Sequence, residues 1–134
     1  MTEDEIGEIV VDAALDIHRN LGPGLLESVY EVVLAHALTE RGLIVERQVA
    51  VPIEYSGMRF NEGFRADIIV EGKVILELKS VEKIRKVHKK QLLTYLNLSG
   101  LKLGFLLNFG EALMKEGIAR IVNGLDEEGD QAGA

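Results

Sequence analysis

The 134-residue chain contains no cysteine, so neither a disulfide framework nor a thiolate metal site is available to it. It also lacks any apolar run close to the roughly 18 residues that a membrane-spanning helix needs. The first segment, MTEDEIGEIV, is acidic where a secretory signal would be basic, and no internal repeat or linker is visible. We therefore expect a single globular domain over residues 1–125, located in the cytoplasm and with no membrane partner.

Positive charge is scarce overall, because the net charge is −7, but the acidic residues are concentrated near the two ends. Four lie within residues 3–8 and four within residues 126–130, and removing these eight charges changes the net charge to +1. Residues 126–134 have nothing to bury and are predicted to form a disordered acidic tail. A basic run lies between them, made of Lys79, Lys83, Arg85, Lys86, Lys89 and Lys90. A phosphate backbone could bind there, and the alternative is an ordinary solvated helix face.

Hydrophobic periodicity predicts three helices, over residues 3–21, 25–41 and 81–99, each followed by a glycine. Alternating or continuous apolar runs predict the strands, which cover residues 45–53, 59–70, 74–79, 103–109 and 118–122. The second helix is expected to have a broad apolar face made of Leu25, Leu26, Val29, Val32, Val33, Leu34 and Leu38. The order ααβββαββ indicates a meander of strands covered by helices, which is a mixed α/β sandwich.

The segment RADIIVEGKVILELKS, residues 65–80, places three charged side chains within two of the most apolar runs of the chain. Asp67 precedes the first run, while Glu77 and Lys79 interrupt and follow the second. Residues two apart in a strand share a face, so Glu77 and Lys79 point the same way. Charges in such surroundings are usually either paired or functional.

The length of the turn decides whether Asp67 joins that pair. A two-residue loop would place Asp67 opposite Leu76, whereas a three-residue loop over residues 71–73 would place it opposite Glu77 and place Arg65 opposite Lys79. Two close carboxylates repel each other unless a positive charge lies between them, and a divalent cation with oxygen ligands would supply it. The alternative is a buried salt-bridge ladder among the same four side chains.

These residues resemble a known signature. Asp67 followed by Glu77-Leu78-Lys79 is similar to the D…ExK pattern of the PD-(D/E)XK nuclease superfamily, although Ala66 stands where the proline of that name would be. Upstream, GLLESVY over residues 24–30 matches the GxxExxY motif of one family within the superfamily, and Gln91-x-x-x-Tyr95 follows downstream in the expected order.

The resemblance implies a restriction-endonuclease-like mixed sheet and a set of site residues. Asp67 and Glu77 would hold Mg²⁺ or Mn²⁺, with the backbone carbonyl of Leu78 and the side chain of Glu27 adding ligands. Lys79 would orient the attacking water. Without the resemblance, Glu27 would be interpreted as an ordinary first-turn carboxylate that stabilises the helix dipole.

Five further side chains are candidates for positioning a substrate: Tyr30, Arg65, His88, Gln91 and Tyr95. Arg65 would act as a phosphate clamp if it faces Lys79. Tyr30 shares a helix face with Glu27, so it could steady that carboxylate or instead pack against the sheet. One stripe of the third predicted helix carries His88, Gln91 and Tyr95. The resemblance implies that a QxxxY pair such as Gln91 and Tyr95 lies beside the site. From the residues alone, Tyr95 would be a core residue and Gln91 a surface amide.

We therefore expect a metal-dependent nuclease that hydrolyses phosphodiester bonds in DNA or RNA. The alternative is a catalytically silent module that keeps the fold and binds nucleic acid or a protein partner. No separate recognition domain is visible, so specificity would come from an assembly, a partner or the shape of the substrate. Because small domains of this kind often act in pairs, a homodimer is also considered.

Overall fold

The computed structural model describes residues 1–125 and contains the predicted ααβββαββ order. Its elements are α1 (Glu3–Leu21), α2 (Glu27–Glu40), β1 (Val45–Tyr55), β2 (Met58–Val70), β3 (Val74–Lys79), α3 (Lys86–Ser99), β4 (Leu103–Asn108) and β5 (Ile118–Val122). A short 3-10 helix, Met114–Gly117, precedes β5. The predicted acidic tail, residues 126–134, lies outside the described residues. Within residues 1–125, no helix is long and apolar enough to cross a membrane.

The five strands form one sheet in the order β1-β2-β3-β4-β5. All neighbouring pairs are antiparallel except β3 and β4, which are parallel. The predicted meander is therefore wrong for this pair, because α3 carries the chain back across the sheet and reverses the direction that a hairpin would impose. As a consequence, β3 and β4 end at the same edge, where Lys79 and Asn108 are paired.

The sheet is covered on both faces. The larger cluster packs α1 and α2 against one face, with Ile6, Val10, Leu34 and Leu38 fully buried. The smaller cluster packs α3 against the other face through residues that include Leu92. A mixed sheet with helices on both faces confirms the predicted α+β class.

Two helices differ from their prediction. Four of the seven residues expected on the apolar face of α2 are exposed: Leu25, Leu26, Val29 and Val32. The buried stripe of α2 is made instead of Tyr30, Glu31, Leu34, Ala35 and Leu38. The third helix begins at Lys86 rather than at residue 81, because Val81 is held to β4 through its amide, which donates to the Asn108 side-chain oxygen at 3.0 Å.

The β1–β2 hairpin changes the face on which it packs partway along its length. Near its base, Val45 and Ile68 pack with the α1 and α2 cluster, whereas farther out Val49 and Ala66 pack with the α3 cluster. The residues between them, Gln48 and Asp67, are the point at which both strands rotate. Gln48 has a left-handed backbone with φ of 52°, which breaks the usual alternation of side chains.

Candidate active site

The β2–β3 hairpin has the three-residue turn on which the predicted site depends. Val70 pairs with Val74 and Ile68 pairs with Leu76, so residues 71–73 form the loop. The turn is made possible by left-handed backbones at Glu71, with φ of 54°, and at Gly72, with φ of 63°. This register brings Asp67 level with Glu77, which is the second of the two alternatives that the sequence leaves open.

The side chains of Asp67 and Glu77 each accept a hydrogen bond from a backbone amide of the neighbouring strand. The amide of Asp67 donates to Oε2 of Glu77 at 2.9 Å, and the amide of Leu78 donates to Oδ2 of Asp67 at 2.9 Å. The paired residues of the β2–β3 ladder end at Ile68 and Leu76. Beyond them, the two carboxylates supply the hydrogen bonds between the strands. Within residues 1–125, Oε1 of Glu77 accepts no hydrogen bond, whereas the Asp67 carboxylate also interacts with the Gln48 side chain.

Burial disfavours the ionised form of both carboxylates. Glu77 is only 8% exposed, and burial followed by repulsion from Asp67 raises its pKa to about 7. Burial likewise raises the pKa of Asp67, while the hydrogen bond from Leu78 and the charge of Lys79 oppose the rise. The pair therefore carries an unfavourable excess of negative charge that a bound cation would relieve.

Lys79 lies at the end of β3 with its ammonium group uncommitted. It is half-buried, and its charge favours ionisation of both Asp67 and Glu77. The side chain makes no hydrogen bond or ion pair with any other described residue, whereas its backbone carbonyl accepts from the amide of Phe109 at 2.9 Å. The strand is thus fixed by its backbone, and the amine is free to meet an anionic group.

Tyr95 of α3 lies at the rim of this site. Its ring stacks on Phe64 with centroids 3.9 Å apart, and its pKa is raised by burial and by the nearby charges of Glu77 and Asp67. Gln91, one turn earlier on α3, is exposed and has no side-chain hydrogen bond to the described part of the chain. Tyr95 therefore lies close enough to both carboxylates for their charges to raise its pKa.

Glu31 and Gln48 are neighbours of Asp67 that the sequence did not predict. Glu31 is only 6% exposed, and its charge raises the pKa of Asp67, whereas hydrogen bonding by the Gln48 side chain lowers it. Both Glu31 oxygens are used, because Oε1 accepts from Gln48 Nε2 at 2.6 Å and Oε2 accepts from Arg47 Nε at 3.0 Å. A signal for Glu31 was present, since it lies three residues before Leu34 on the buried stripe of α2. No signal in the sequence marks Gln48.

Glu27 is not brought together with the other predicted metal ligands. It is the first residue of α2 and is exposed. Among residues 1–125, no group of three His, Cys, Asp or Glu side chains is placed to hold a metal ion. The three carboxylates Asp67, Glu77 and Glu27 thus do not form one cluster among these residues, and the role of Glu27 as a metal ligand stays a prediction. The carboxylates of Asp67 and Glu77 remain as the donors.

Tyr30 is a core residue and not a substrate contact. It has no exposed surface, and its ring stacks on Phe109 at 4.3 Å. Its hydroxyl donates to the carbonyl of Gly22 at 2.5 Å and accepts from the amide of Leu25 at 3.2 Å. The prediction that it positions a substrate is corrected in favour of the packing alternative, because the hydroxyl ties down the loop before α2.

Arg65 and His88 are also engaged elsewhere. Arg65 donates to the carbonyl of Gln48 in β1 at 3.0 Å, so its guanidinium group is bonded to β1. The rotation of β2 at Asp67 explains why the register alone misplaced it. His88 caps α3, because its Nδ1 accepts from the amide of Arg85 at 3.0 Å. Each side chain thus has a structural hydrogen bond, and the proposed contacts of both residues with a substrate stay predictions.

Comparison with known proteins agrees with this geometry. A model of the PD-(D/E)XK nuclease superfamily matches residues 4–121, which includes every residue of the site. No curated protein and no solved structure matches the chain. On the extent of that match, the chain belongs to the PD-(D/E)XK nuclease superfamily.

Proposed function

We propose that the protein is a metal-dependent nuclease that hydrolyses phosphodiester bonds of DNA or RNA. The observation that carries the proposal is the cross-strand lock between Asp67 and Glu77, with the free amine of Lys79 beside it. Two carboxylates held at one point and a neighbouring cation form the arrangement that phosphoryl transfer requires, because it needs both a bound cation and compensation of growing negative charge.

The two carboxylates fit a divalent cation such as Mg²⁺ or Mn²⁺. Glu77 uses Oε2 for the amide of Asp67, which leaves its Oε1 for an ion. Asp67 uses Oδ2 for the amide of Leu78 and also interacts with the Gln48 side chain, and a carboxylate has lone pairs enough to bind an ion beside these two contacts. Oxygen ligands suit these ions, and Mg²⁺ commonly uses one or two protein carboxylates while retaining several waters, so two donors are sufficient. When bound, the ion would supply a nucleophilic water near neutral pH and would polarise the phosphate. The backbone carbonyl of Leu78 is the further ligand that the resemblance implies.

The remaining residues of the site would act on the substrate. Lys79 is proposed to orient the attacking water and to offset charge on the phosphate as the bond breaks. Gln91 and Tyr95 lie one turn apart on α3, and the charges of the two carboxylates contribute to the raised pKa of Tyr95. They are proposed to position the nucleic acid at the rim.

Membership of the GxxExxY family is proposed on the contacts of its motif. Tyr30 holds the loop that precedes α2 through Gly22 and Leu25. The same loop is joined to the end of β3, because the Ser80 hydroxyl donates to the carbonyl of Leu25 at 2.7 Å. The motif thus links the start of α2, where Glu27 lies, to the strand of Lys79. Glu27 is proposed to act through a bound water or through a movement of this loop.

The direct test is cleavage by purified protein with Mn²⁺ or Mg²⁺ on a panel of linear, circular, single-stranded and branched DNA and RNA. Wild type should cut at least one substrate, and Lys79→Ala should remove cutting while leaving the fold intact. Lys102→Ala is the matched control, because Lys102 is exposed and precedes β4 at the opposite end of the sheet. Equal cutting by wild type and Lys79→Ala would identify a contaminating nuclease.

A catalytically silent module is the second candidate, favoured by the position of Glu27 outside any three-residue metal cluster in the described residues. Isothermal calorimetry with Mn²⁺ separates the two. Binding that is lost in Asp67→Asn and Glu77→Gln supports the nuclease. An absence of binding by wild type supports the module.

A further inference from the structure

Gln48 has a backbone conformation that its position in a strand does not require. Three non-glycine residues in the described chain have positive φ: Gln48, Ser56 and Glu71. Ser56 and Glu71 lie in the tight turns after β1 and β2, where left-handed backbones are normal. Gln48 lies in the middle of β1, where an L-residue with a side chain pays a steric cost for this conformation.

Several hydrogen bonds hold Gln48 in this state. Its side-chain amide donates to Oε1 of Glu31 at 2.6 Å, and its carbonyl accepts from Nη1 of Arg65 at 3.0 Å. Glu31 is itself fixed, because Arg47 donates to its Oε2 through Nε at 3.0 Å and approaches it through Nη2 at 2.9 Å. The residue is thus fixed from both its side chain and its backbone, which is the condition under which a strained conformation persists.

The consequence of this conformation falls on Asp67. Arg47 pairs with Ile68 and Val49 pairs with Ala66, so Gln48 and Asp67 lie opposite each other between the two pairs. Both strands change packing face at this point, with Ile68 in the α1 and α2 cluster and Ala66 in the α3 cluster. Asp67 therefore leaves the regular alternation of β2 where Gln48 breaks that of β1, and its carboxylate reaches across to the amide of Leu78.

We propose that Gln48 is a positioning residue for Asp67, held in a left-handed conformation by Glu31 and Arg65 so that the Asp67 carboxylate faces the metal-binding position. This inference rests on the proposed function, because it assigns Gln48 a role in metal binding at that site. Residues that orient a metal ligand without touching the metal commonly change its affinity tenfold or more when they are altered.

Gln48→Gly separates this role from a purely structural one. Glycine adopts the left-handed backbone without steric cost, so the variant should keep the fold even though Oε1 of Glu31 loses a hydrogen bond. It removes the amide that bridges Glu31 and Asp67, so the affinity for Mn²⁺, measured by isothermal calorimetry, should fall about tenfold. Glu31→Gln removes the negative charge that strengthens the hydrogen bond from the Gln48 amide, so it should also lower the affinity for Mn²⁺.

Ser56→Gly is the matched control. Ser56 also has a left-handed backbone, with φ of 53°, but it lies at the tip of the β1–β2 hairpin away from Asp67. It should keep the fold and show no change in affinity for Mn²⁺. Equal affinity in Gln48→Gly and Ser56→Gly would overturn the proposal, as would a lower melting temperature of Gln48→Gly with unchanged affinity. If wild type itself fails to bind Mn²⁺, the proposed function fails and Gln48 has no metal ligand to position.

Discussion

Asp67 and Glu77 are joined in both directions across the β2–β3 hairpin. Oε2 of Glu77 accepts the amide of Asp67, and Oδ2 of Asp67 accepts the amide of Leu78, each at 2.9 Å. Each carboxylate thus satisfies a backbone donor that the ladder no longer pairs, which keeps the strands together while two acidic groups are buried at one point. The burial of these carboxylates, together with the repulsion between them, is the basis of the first two predictions.

The metal-free protein should lose stability as the pH rises from 4.5 to 7. The pKa of Glu77 is about 7 in the folded protein and 4.5 for an unperturbed glutamate, so the native state binds more protons than the unfolded chain across this interval. The favourable contribution is complete below pH 4.5 and is lost as the pH rises through 7. Glu77→Gln should therefore exceed wild type in stability above pH 7, by about 3 kcal/mol at most, with little difference below pH 4.5.

This difference is measured by urea unfolding in EDTA at a series of pH values. Glu62→Gln is the control, because Glu62 is an exposed glutamate of the same strand as Asp67. A wild-type stability that is flat or rises between pH 4.5 and 7 relative to Glu77→Gln would contradict the assigned ionisation.

Mn²⁺ should restore the stability that ionisation removes. A ligand that binds only the native state stabilises it in proportion to the logarithm of its concentration, so a concentration of 100 times Kd should add about 2.7 kcal/mol. At pH 8 the melting temperature of wild type should rise with Mn²⁺, and Asp67→Asn should show no rise. Asparagine keeps an oxygen for the amide of Leu78, so the variant should still fold. A Mn²⁺ effect that persists in Asp67→Asn would place the metal elsewhere.

The sequence predicted the hairpin better than it predicted the surroundings. The existence of the β2–β3 hairpin follows from its two apolar runs, but the sequence leaves both a two-residue and a three-residue loop open, because both faces of the sheet are covered and apolar residues suit either face. The α3 boundary was missed because periodicity continues through residues 81–85 while Asn108 holds Val81 in a loop. Tertiary contacts decided that boundary.

The unpredicted contact of Arg65 and the unpredicted neighbour Glu31 have different causes. A pattern of alternate side chains assumes an uninterrupted strand, and Gln48 interrupts β1 with a conformation that is common only for glycine and asparagine. The contact of Arg65 with β1 results from that interruption. Because β2 rotates at Asp67, the Arg65 side chain donates to the carbonyl of Gln48. The sequence does not predict Glu31, because a buried glutamate is expected only where a cation pairs with it, and its partner Arg47 lies on a different element.

Tyr30→Phe should lower the free energy of unfolding by about 1–3 kcal/mol, because the amide of Leu25 and the carbonyl of Gly22 lose a buried partner. The ring and its stacking on Phe109 are retained, so the effect reports the hydroxyl alone. Urea unfolding measures it. Tyr55→Phe is the control, since Tyr55 is 72% exposed and should change stability by less than about 0.5 kcal/mol. Equal effects of the two substitutions would show that the loop does not depend on Tyr30.

Arg47→Ala should be strongly destabilising, although the Arg47 side chain is itself 45% exposed. Its partner Glu31 has a side chain only 8% exposed, and removing the guanidinium leaves that carboxylate with Gln48 alone. Breaking a buried pair from one side costs about 3–5 kcal/mol, and the exposure of Arg47 places the expected loss near the lower end, at about 3 kcal/mol. Arg41→Ala removes an ion pair with Asp12, whose side chain is 78% exposed, and should cost less than about 1 kcal/mol. In Glu31→Gln the same Arg47→Ala substitution should lose most of its effect, because no buried charge remains to be stranded. Full additivity of the two substitutions in urea unfolding would mean that Arg47 stabilises β1 independently of Glu31.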